Sequence, residues 1–530
     1  MDTREILKFC LEKGLLIDKE ILNLFSSTDS ESAKFVIEGI KTYTNQRVIT
    51  KNIISANKDK FDELISMLPE ERKEGFKRLK IKLGLSIEIS EEIKKPIEVK
   101  IENEFSSNVK LVPFLPNLNK KIEVGDFVRY FRNRFLDIKK FLQERPELTN
   151  LISIDKISGN QSASIIGTVF DKRVTKNKNI ILDVEDMTGK IKILVNQNKK
   201  EVYEKAEDIP LDGVIGFKGN GNKEIFFANE IYFPEAALSE RKKSPIEENA
   251  LFISDVHAGS KLFLEKNFLK FVDYLNGRIP GTDKDEIDKI KYLFIVGDLI
   301  AGVGVYPNQE KDLEIKDIEG QYAKAAELFG KIRKDIKLII LPGNHDCVRL
   351  MEPQPILDEK YAWPLFDLKN AVFTSNPSMV NIGSTKDFSG FDVLTYHGFS
   401  YYYYGNTIQK LISQNAIVES PDKIMAYLLQ NRHLAPTHAS IQYYPAEKDP
   451  LLIRKVPDIF VSGHTHKGAA SYYNNILVLS STCWEHLTAF QEKVGNKPDF
   501  CKVPMFNLKT RNVKILDFYD KEELNDKPAN

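Results

Sequence analysis

The sequence predicts a multidomain α+β protein with a small N-terminal helical module, a β-barrel in the middle and a C-terminal α/β sandwich. Three observations predict it: apolar residues recur at helical spacing over the first eighty positions, alternate with strand period between residues 163 and 233, and from residue 250 follow a strand, loop, helix order. The 530 residues suffice for two to four folded units, and 42% hydrophobic and 10% aromatic content can fill more than one core. Lys plus Arg number 76 and Asp plus Glu 76, so any nucleic-acid partner must be held by a local basic patch. The four cysteines, Cys10, Cys347, Cys483 and Cys501, lack CxxC spacing and read as ordinary thiols of a reducing compartment. No apolar run reaches the roughly 18 residues of a membrane span, and the first residues lack a signal-peptide core, so a cytoplasmic protein is expected.

In order along the chain, Ile6, Leu7, Phe9, Cys10 and Leu11 form a helix that Gly14 stops, and Asp18 can cap the next. Ser30 to Ser32 start a third through Phe35, Val36 and Ile40, and Pro69-Glu70-Glu71 a last one through Leu79 and Leu83. The helical module is bounded at 1–85, and mixed charges around Pro96 mark 86–119 as a solvated linker. A helix with Phe127, Val128, Phe131, Phe135, Ile138, Phe141 and Leu142 on one face then runs to Pro146, its Arg and Lys residues forming the wet face. Five strands follow: Ala163 to Phe170, Ile180 to Val184, Ile191 to Val195, Gly213 to Phe217 and Glu224 to Phe233. Short strands with Gly-containing turns suggest an OB-type barrel, giving a helix-plus-barrel domain over 120–236. Such barrels often bind single strands, but no row of aromatics alternates with Lys or Arg here, so a docking role is at least as well supported. Residues 237–249 read as a linker, 250–520 as the last domain and 521–530 as a polar tail. In that domain Ala250 to Ile253, Tyr292 to Val296 and Leu338 to Leu341 alternate with helices around Leu262 to Leu275 and Gln321 to Ile332, which predicts a helix-covered sheet with ligands at the strands' carboxyl ends.

All eight histidines fall in this last domain. Five short motifs sit where apolar strands give out onto loops: Asp255-Val256-His257, Gly297-Asp298, Gly343-Asn344-His345-Asp346, Tyr396-His397-Gly398 and Gly463-His464-Thr465-His466. If those strands are neighbours in one sheet, carboxylate, amide and imidazole ligands collect along one rim. The recurring glycines would let the backbone turn sharply and approach a phosphate. One such motif alone is often a turn or a helix cap; five in this order indicate a metal site. Nitrogen and oxygen ligands without thiolate suit Mn²⁺, Fe²⁺ or Zn²⁺ better than Mg²⁺ alone. His433, His438 and His486 have no such setting, and His438, just ahead of the Gly463-His464 strand, is the nearest to an exception.

The pattern DxH, GD, GNH, H and GHxH from Asp255 to His466 resembles the calcineurin-like metallophosphoesterase superfamily. That resemblance implies two divalent ions, Mn²⁺ first among the choices: Asp255, His257 and His466 on one, Asn344, His397 and His464 on the other, Asp298 bridging, and His345 beside the phosphate as a catalytic group but no ligand. Two such ions about 3.5 to 4 Å apart can bind a phosphodiester oxygen, activate a water and neutralise the transition state. The surroundings narrow the resemblance. Gly302 to Pro307, Leu313 to Ile318, Cys347-Val348-Arg349 and Glu352-Pro353-Gln354-Pro355, with Ile166 to Val169 and Leu182 to Gly189 in the barrel, look like the small subunits of archaeal family D DNA polymerases over about positions 120 to 520.

This resemblance implies a 3′ to 5′ exonuclease that proofreads single-stranded or mispaired DNA ends for a separate large catalytic subunit. It also implies a sliding clamp reached through the complex and a nucleoid-associated location. A non-catalytic scaffold and a stand-alone repair nuclease are the alternatives; the complete ligand set speaks against the first, the barrel against the second. Two stretches depart from the family's pattern: Phe399 to Tyr404 in place of polar residues, and His438 to Gln442 in place of a glycine-rich run. Arg349, Tyr401 and Tyr402 are candidate substrate contacts, the tyrosines either stacking on an unpaired base or forming a partly buried helix start. The chain offers no P-loop and no separate carboxylate pair for polymerisation.

Overall fold

A computed structural model describes residues 3–18, 21–22, 25, 30–43, 48–50, 53–54, 57–69, 109–112, 121–159, 161–493 and 495–520. The helix expected through Leu79 and Leu83, most of 86–119 and the 521–530 tail lie outside them. The chain forms two compact units, Met1–Ile97 and Glu98–Asn530.

The first unit has helices Thr3–Glu12, Ser30–Tyr43 and Lys58–Ser66. Ile6 and Cys10 from the first, Val36, Ile37 and Ile40 from the second, and Phe61 and Ile65 from the third close one apolar core. The module is not purely helical: Leu16–Ile17 pairs in parallel with Val48–Ile49. Two residues per strand are too few for a period to show in sequence.

In the larger unit the helix Val124–Gln143 packs on two sides. Phe135, Ile138 and Leu142 meet Ile166 and Val214 of the barrel, and Tyr130 stacks on Tyr443 at 4.9 Å between ring centroids. Two expectations fail for that reason. Val128 is exposed, and Arg134, expected on the wet face, is only 2% exposed and pairs with Asp449 at 2.6 Å. The barrel is closed by Gln161–Val174, Ile180–Glu185, Lys190–Val195, Val214–Gly221 and Ile225–Tyr232. The first strand pairs with the second and fourth, and the third pairs in parallel with the fifth. An irregularity between Val169 and Asp171 bends the long first strand to serve both neighbours. The helix Lys200–Glu207 connects the third and fourth strands, with Ala206 in the core. Residues 239–249 run along the sandwich, where Lys242 pairs with Asp458 at 2.8 Å and the Arg241 guanidinium lies 3.9 Å from the Tyr472 ring centroid.

Two six-stranded sheets form the sandwich. One runs Ala371–Phe373, Lys337–Leu341, Ile290–Val296, Asn249–Ile253, Lys502–Asn507, Val513–Asp517, and the other Ala469–Tyr473, Ile476–Ser480, Ile459–Ser462, Phe391–Thr395, Ser378–Ile382, Lys110–Val112. Phe252, Phe294, Val296 and Leu341 face Val393, Val461 and Leu479 across the layer between them, and helices cover the outer faces. The central parallel strands are buried throughout, which gives the continuous apolar runs of the sequence. The motif-bearing strands are thus shared between two sheets and do not lie in one. Lys110–Val112, inside the stretch read as linker, is the edge strand beside Ser378–Ile382. Among the described residues no helix is long and apolar enough to cross a membrane.

Candidate metal centre

The five motifs meet at the carboxyl ends of parallel strands, three from one sheet and two from the other. Backbone conformation sets the aim of the side chains. Asp255, His257, Asp298, His464 and His466 all hold left-handed φ, at 52°, 50°, 52°, 70° and 58°. Non-glycine residues rarely adopt this region, and the strain persists only where surrounding structure enforces it. The intervening glycines give room to these side chains. A Cβ on Gly343 would stand 2.2 Å from Asp298 Oδ1, and one on Gly463 would stand 2.6 Å from Asp255 Oδ2.

Three overlapping groups result, in each of which the ligand atoms lie within 4.8 Å of one another: Asp255, His257 and His466; His257, Asp298 and His345; Asp298, His397 and His464. Asn344 joins the last, its Oδ1 3.1 Å from His397 Nε2. His397 donates its Nδ1–H to the Val296 carbonyl at 2.9 Å, so its Nε2 lone pair faces Asn344 Oδ1 and, at 3.3 Å, Asp298 Oδ2. His257 and His466 turn their Nε2 atoms toward each other at 3.2 Å. Such facing lone pairs need a cation or a proton between them, and an imidazole anchored on a carbonyl through its other nitrogen is the usual setting of a metal ligand.

The protonation equilibria show the same demand. Burial opposes charge throughout, yet His397, His345 and His257 hold the Asp298 carboxylate well below its usual range. Asp255 is drawn down to about 2, burial opposing and His466 prevailing. His397 is pushed up to about 9, because Asp298 outweighs burial, while burial and the His397 charge push His464 down to about 3. In this donor set, protons and divalent cations compete for the same lone pairs, so the residues fit a metal centre, with Asp298 common to two of the groups.

His345 keeps its Nδ1–H on the Ala301 carbonyl at 2.7 Å. Its ring is one-fifth exposed, with Nε2 4.0 Å from Asp298 Oδ2. A cleft of about 410 Å³ opens over the group, lined also by Tyr306, Asp312, Phe399, Tyr402, Glu485 and Asn496. Tyr402 alone of the three candidate substrate contacts reaches this cleft. Tyr401 is wholly buried in the core beneath the outer helices and shows no face to a base. Arg349 donates to the Pro353 carbonyl at 3.1 and 2.5 Å and so ties up its own loop.

Of the other histidines, His433 is bonded to Asp449 at 2.8 Å, His438 to the Tyr443 hydroxyl at 2.7 Å, and His486 stacks on Phe500. None of them joins the metal groups. Sequence reasoning passed over Glu485, whose Oε2 is 4.0 Å from His257 Nε2, and Gln491, whose amide lies 2.9 Å from His466 Nδ1. Neither sits at a strand end or in a histidine motif. It also gave no role to Asp346, which accepts the N–H of Gly343 at 2.8 Å and of Leu299 at 3.2 Å and so braces two ligand loops. Burial and Asp298 push its carboxyl up to about 7.

The calcineurin-like phosphoesterase family profile matches residues 249–468. The chain is similar to the DNA polymerase II small subunit of Methanothermobacter thermautotrophicus, 38% identical over 75% of this chain and 80% of the relative. For that of Pyrococcus abyssi the identity is 36% over 80% and 69% of the two chains, and for that of Pyrococcus furiosus 38% over 78% and 67%. With its sandwich carrying the phosphoesterase profile and its likeness to these relatives reaching well beyond that domain, the chain belongs to the family of DNA polymerase II small subunits.

Proposed function

We propose that this chain is the proofreading exonuclease of a heterodimeric replicative DNA polymerase, hydrolysing phosphodiesters at single-stranded or mispaired DNA 3′ ends with two divalent ions, Mn²⁺ first among them. Asp255, His257 and His466 would hold one ion and Asn344, His397 and His464 the other, with Asp298 within reach of both groups. Five of these seven side chains sit on strained left-handed backbone, and four of the five line one cleft, with Asp255 buried against His466; this observation carries the reading, since a scaffold has no need of such an arrangement. When bound, the ions supply a nucleophile at neutral pH and neutralise developing charge. His345, held through Nδ1, keeps Nε2 free to give a proton to the departing sugar oxygen.

The relatives' names describe small subunits, and we assign polymerisation to a large catalytic partner. The barrel is of the OB type: its strand order and the helix between its third and fourth strands support this. It and the back of the phosphoesterase sheet serve docking, leaving the cleft open to DNA, and the clamp is reached through the complex in the nucleoid. We assign the domains as 1–85, 120–236 and 250–520, the last of them completed by the edge strand Lys110–Val112.

The test is digestion of end-labelled oligonucleotides by the purified chain with Mn²⁺. Nucleotides should leave from frayed or mispaired 3′ ends, and a blocked 3′ end should protect. Equal digestion of blocked ends would sink the exonuclease assignment.

A further inference from the structure

The cleft holds its ligands and its walls to different chemistries. Among the described residues lining it none is lysine or arginine, and Asp298, Asp312 and Glu485 are acidic. DNA is therefore not gripped here through a run of phosphates, as it is in basic nucleic-acid channels. Whatever affinity the wall contributes must come from the nucleoside part. Two half-buried rings stand on the His464 side: Phe399, 5.6 Å from the His464 ring, and Tyr402, edge-on to it at 5.4 Å.

Tyr402 is fixed at both ends, through its backbone and through its hydroxyl. Its neighbours Tyr401 and Tyr404 are wholly buried, which locks the short helix Tyr401–Thr407 to the core. Its hydroxyl accepts from Asn496 Nδ2 at 3.2 Å. Asn496 in turn belongs to a strap whose Gln491 reaches His466 at 2.9 Å, and the Asn496 amide closes that strap on the Gln491 carbonyl at 2.9 Å. One strap thus ties a metal-ligand candidate to the aromatic wall. The cleft lining also includes Tyr306, but its hydroxyl is bonded to Asp312 at 2.9 Å and Glu485 lines the same cleft. Those carboxylates repel a nucleotide's phosphate, whereas Asn496 and Gln491 are neutral.

We infer that Tyr402 and Phe399 form the seat of the unpaired terminal base, and that Asn496 is a positioning residue that holds the Tyr402 ring. The inference rests on the exonuclease reading above and makes it specific. In that reaction water oxygen bonds to phosphorus, the bond from phosphorus to the O3′ of the preceding nucleotide breaks, that oxygen takes up a proton, and the terminal nucleotide leaves as its 5′-monophosphate. A base stacked on the wall places the scissile phosphate over the ligand cluster. A paired base cannot reach the wall, so discrimination against correct ends follows from the wall itself.

The test is equilibrium binding to the full chain, with Ca²⁺ as the ion, of deoxyadenosine 5′-monophosphate and of 2-deoxyribose 5-phosphate. The nucleotide should bind about 5- to 100-fold more tightly, the usual worth of one base stacked on an aromatic ring. Tyr402→Ala should bring the two within about twofold, while Tyr402→Phe should keep the preference and Phe399→Leu should lower it in part. Equal affinities in the unaltered chain, no binding of either compound, or a preference that survives Tyr402→Ala would each overturn the inference. Oligonucleotide digestion run in parallel separates the two claims. A base preference lost in Tyr402→Ala, in a chain that releases nothing from any DNA end, would uphold the wall and sink the exonuclease.

Discussion

Around Asp449 every side-chain nitrogen and oxygen has a partner, whereas around Asp298 nitrogen lone pairs are aimed at one another and at carboxylate oxygens. Both clusters are buried, and both combine carboxylate with imidazole. In the first, Asp449 accepts from Arg134 at 2.6 Å, from His433 at 2.8 Å and from the Leu451 amide at 3.0 Å. Arg134 spends its other donors on the Pro436 carbonyl and the Tyr130 hydroxyl, both at 2.8 Å. That cluster is closed, and it fastens the long helix to the phosphoesterase domain. In the second, His257 and His466 face each other, and His257 Nδ1 has no partner at all. A buried polar cluster that satisfies itself is architecture; one whose lone pairs converge has the chemistry of a cation site.

The contrast can be broken most severely at Asp298. Asp298→Asn removes the charge shared by both proposed ion positions, and cleavage of labelled oligonucleotides should fall to background with loss of bound metal by elemental analysis. Full metal content in this variant would mean that Asp298 is dispensable to the centre. Next comes His345→Ala, which should slow turnover by about 10²- to 10⁴-fold while metal content stays near that of the unaltered chain. Loss of metal in that variant would make His345 a ligand.

Arg134→Ala asks the opposite question. It strands a buried carboxylate and should cost about 3 to 5 kcal/mol of stability, with metal content unchanged at temperatures where the protein remains folded. The double change Arg134→Met with Asp449→Leu should cost less than Arg134→Ala alone, because no unpaired charge is left. Thermal unfolding of the two variants beside the unaltered chain decides it; a shift of less than a degree in Arg134→Ala would show that the pair bears no load.

The two clusters also differ in how far they could be read from the sequence. The ligand candidates announce themselves because strand, glycine and histidine lie within a few residues of one another, and the barrel strands show their alternation locally. Arg134 and Asp449 are 315 residues apart, and nothing near Arg134 distinguishes it from the exposed Arg132, so periodicity put both on the wet face. The division of the motif strands between two sheets was equally hidden, since a parallel strand buried on both faces reads the same in either arrangement. Left-handed φ at Asp255, His257, Asp298, His464 and His466 has no signature in residue type; glycine or asparagine would be the ordinary choice there.

The smallest effect to seek is a pH dependence that belongs to the closed cluster. His433 accepts the Ala435 amide on Nδ1 at 2.9 Å, so its single proton sits on Nε2 and points to Asp449. Burial first, and then the Arg134 charge, push its pKa from 6.5 down to about 4. A second proton would have to displace the Ala435 amide. Between pH 6.5 and 4 the unfolded chain therefore binds a proton that the folded chain refuses, and stability falls as pH falls through that window. The loss is at most roughly 3 kcal/mol at the lower end. Asp449, held well below the usual carboxylate range against burial by Arg134 and His433, adds its own loss only below the unfolded value near 3.8. His257 and His464 are also pushed down by burial and add a slope of the same sign, so the quantity to measure is a difference. His433→Gln can still donate to Asp449 and should be less stable near pH 7, yet the gap to the unaltered chain should narrow steadily between pH 6.5 and 4. A gap constant across that range would mean that His433 titrates alike in the folded and unfolded chains, and that its neutrality in the cluster is incidental to the fold.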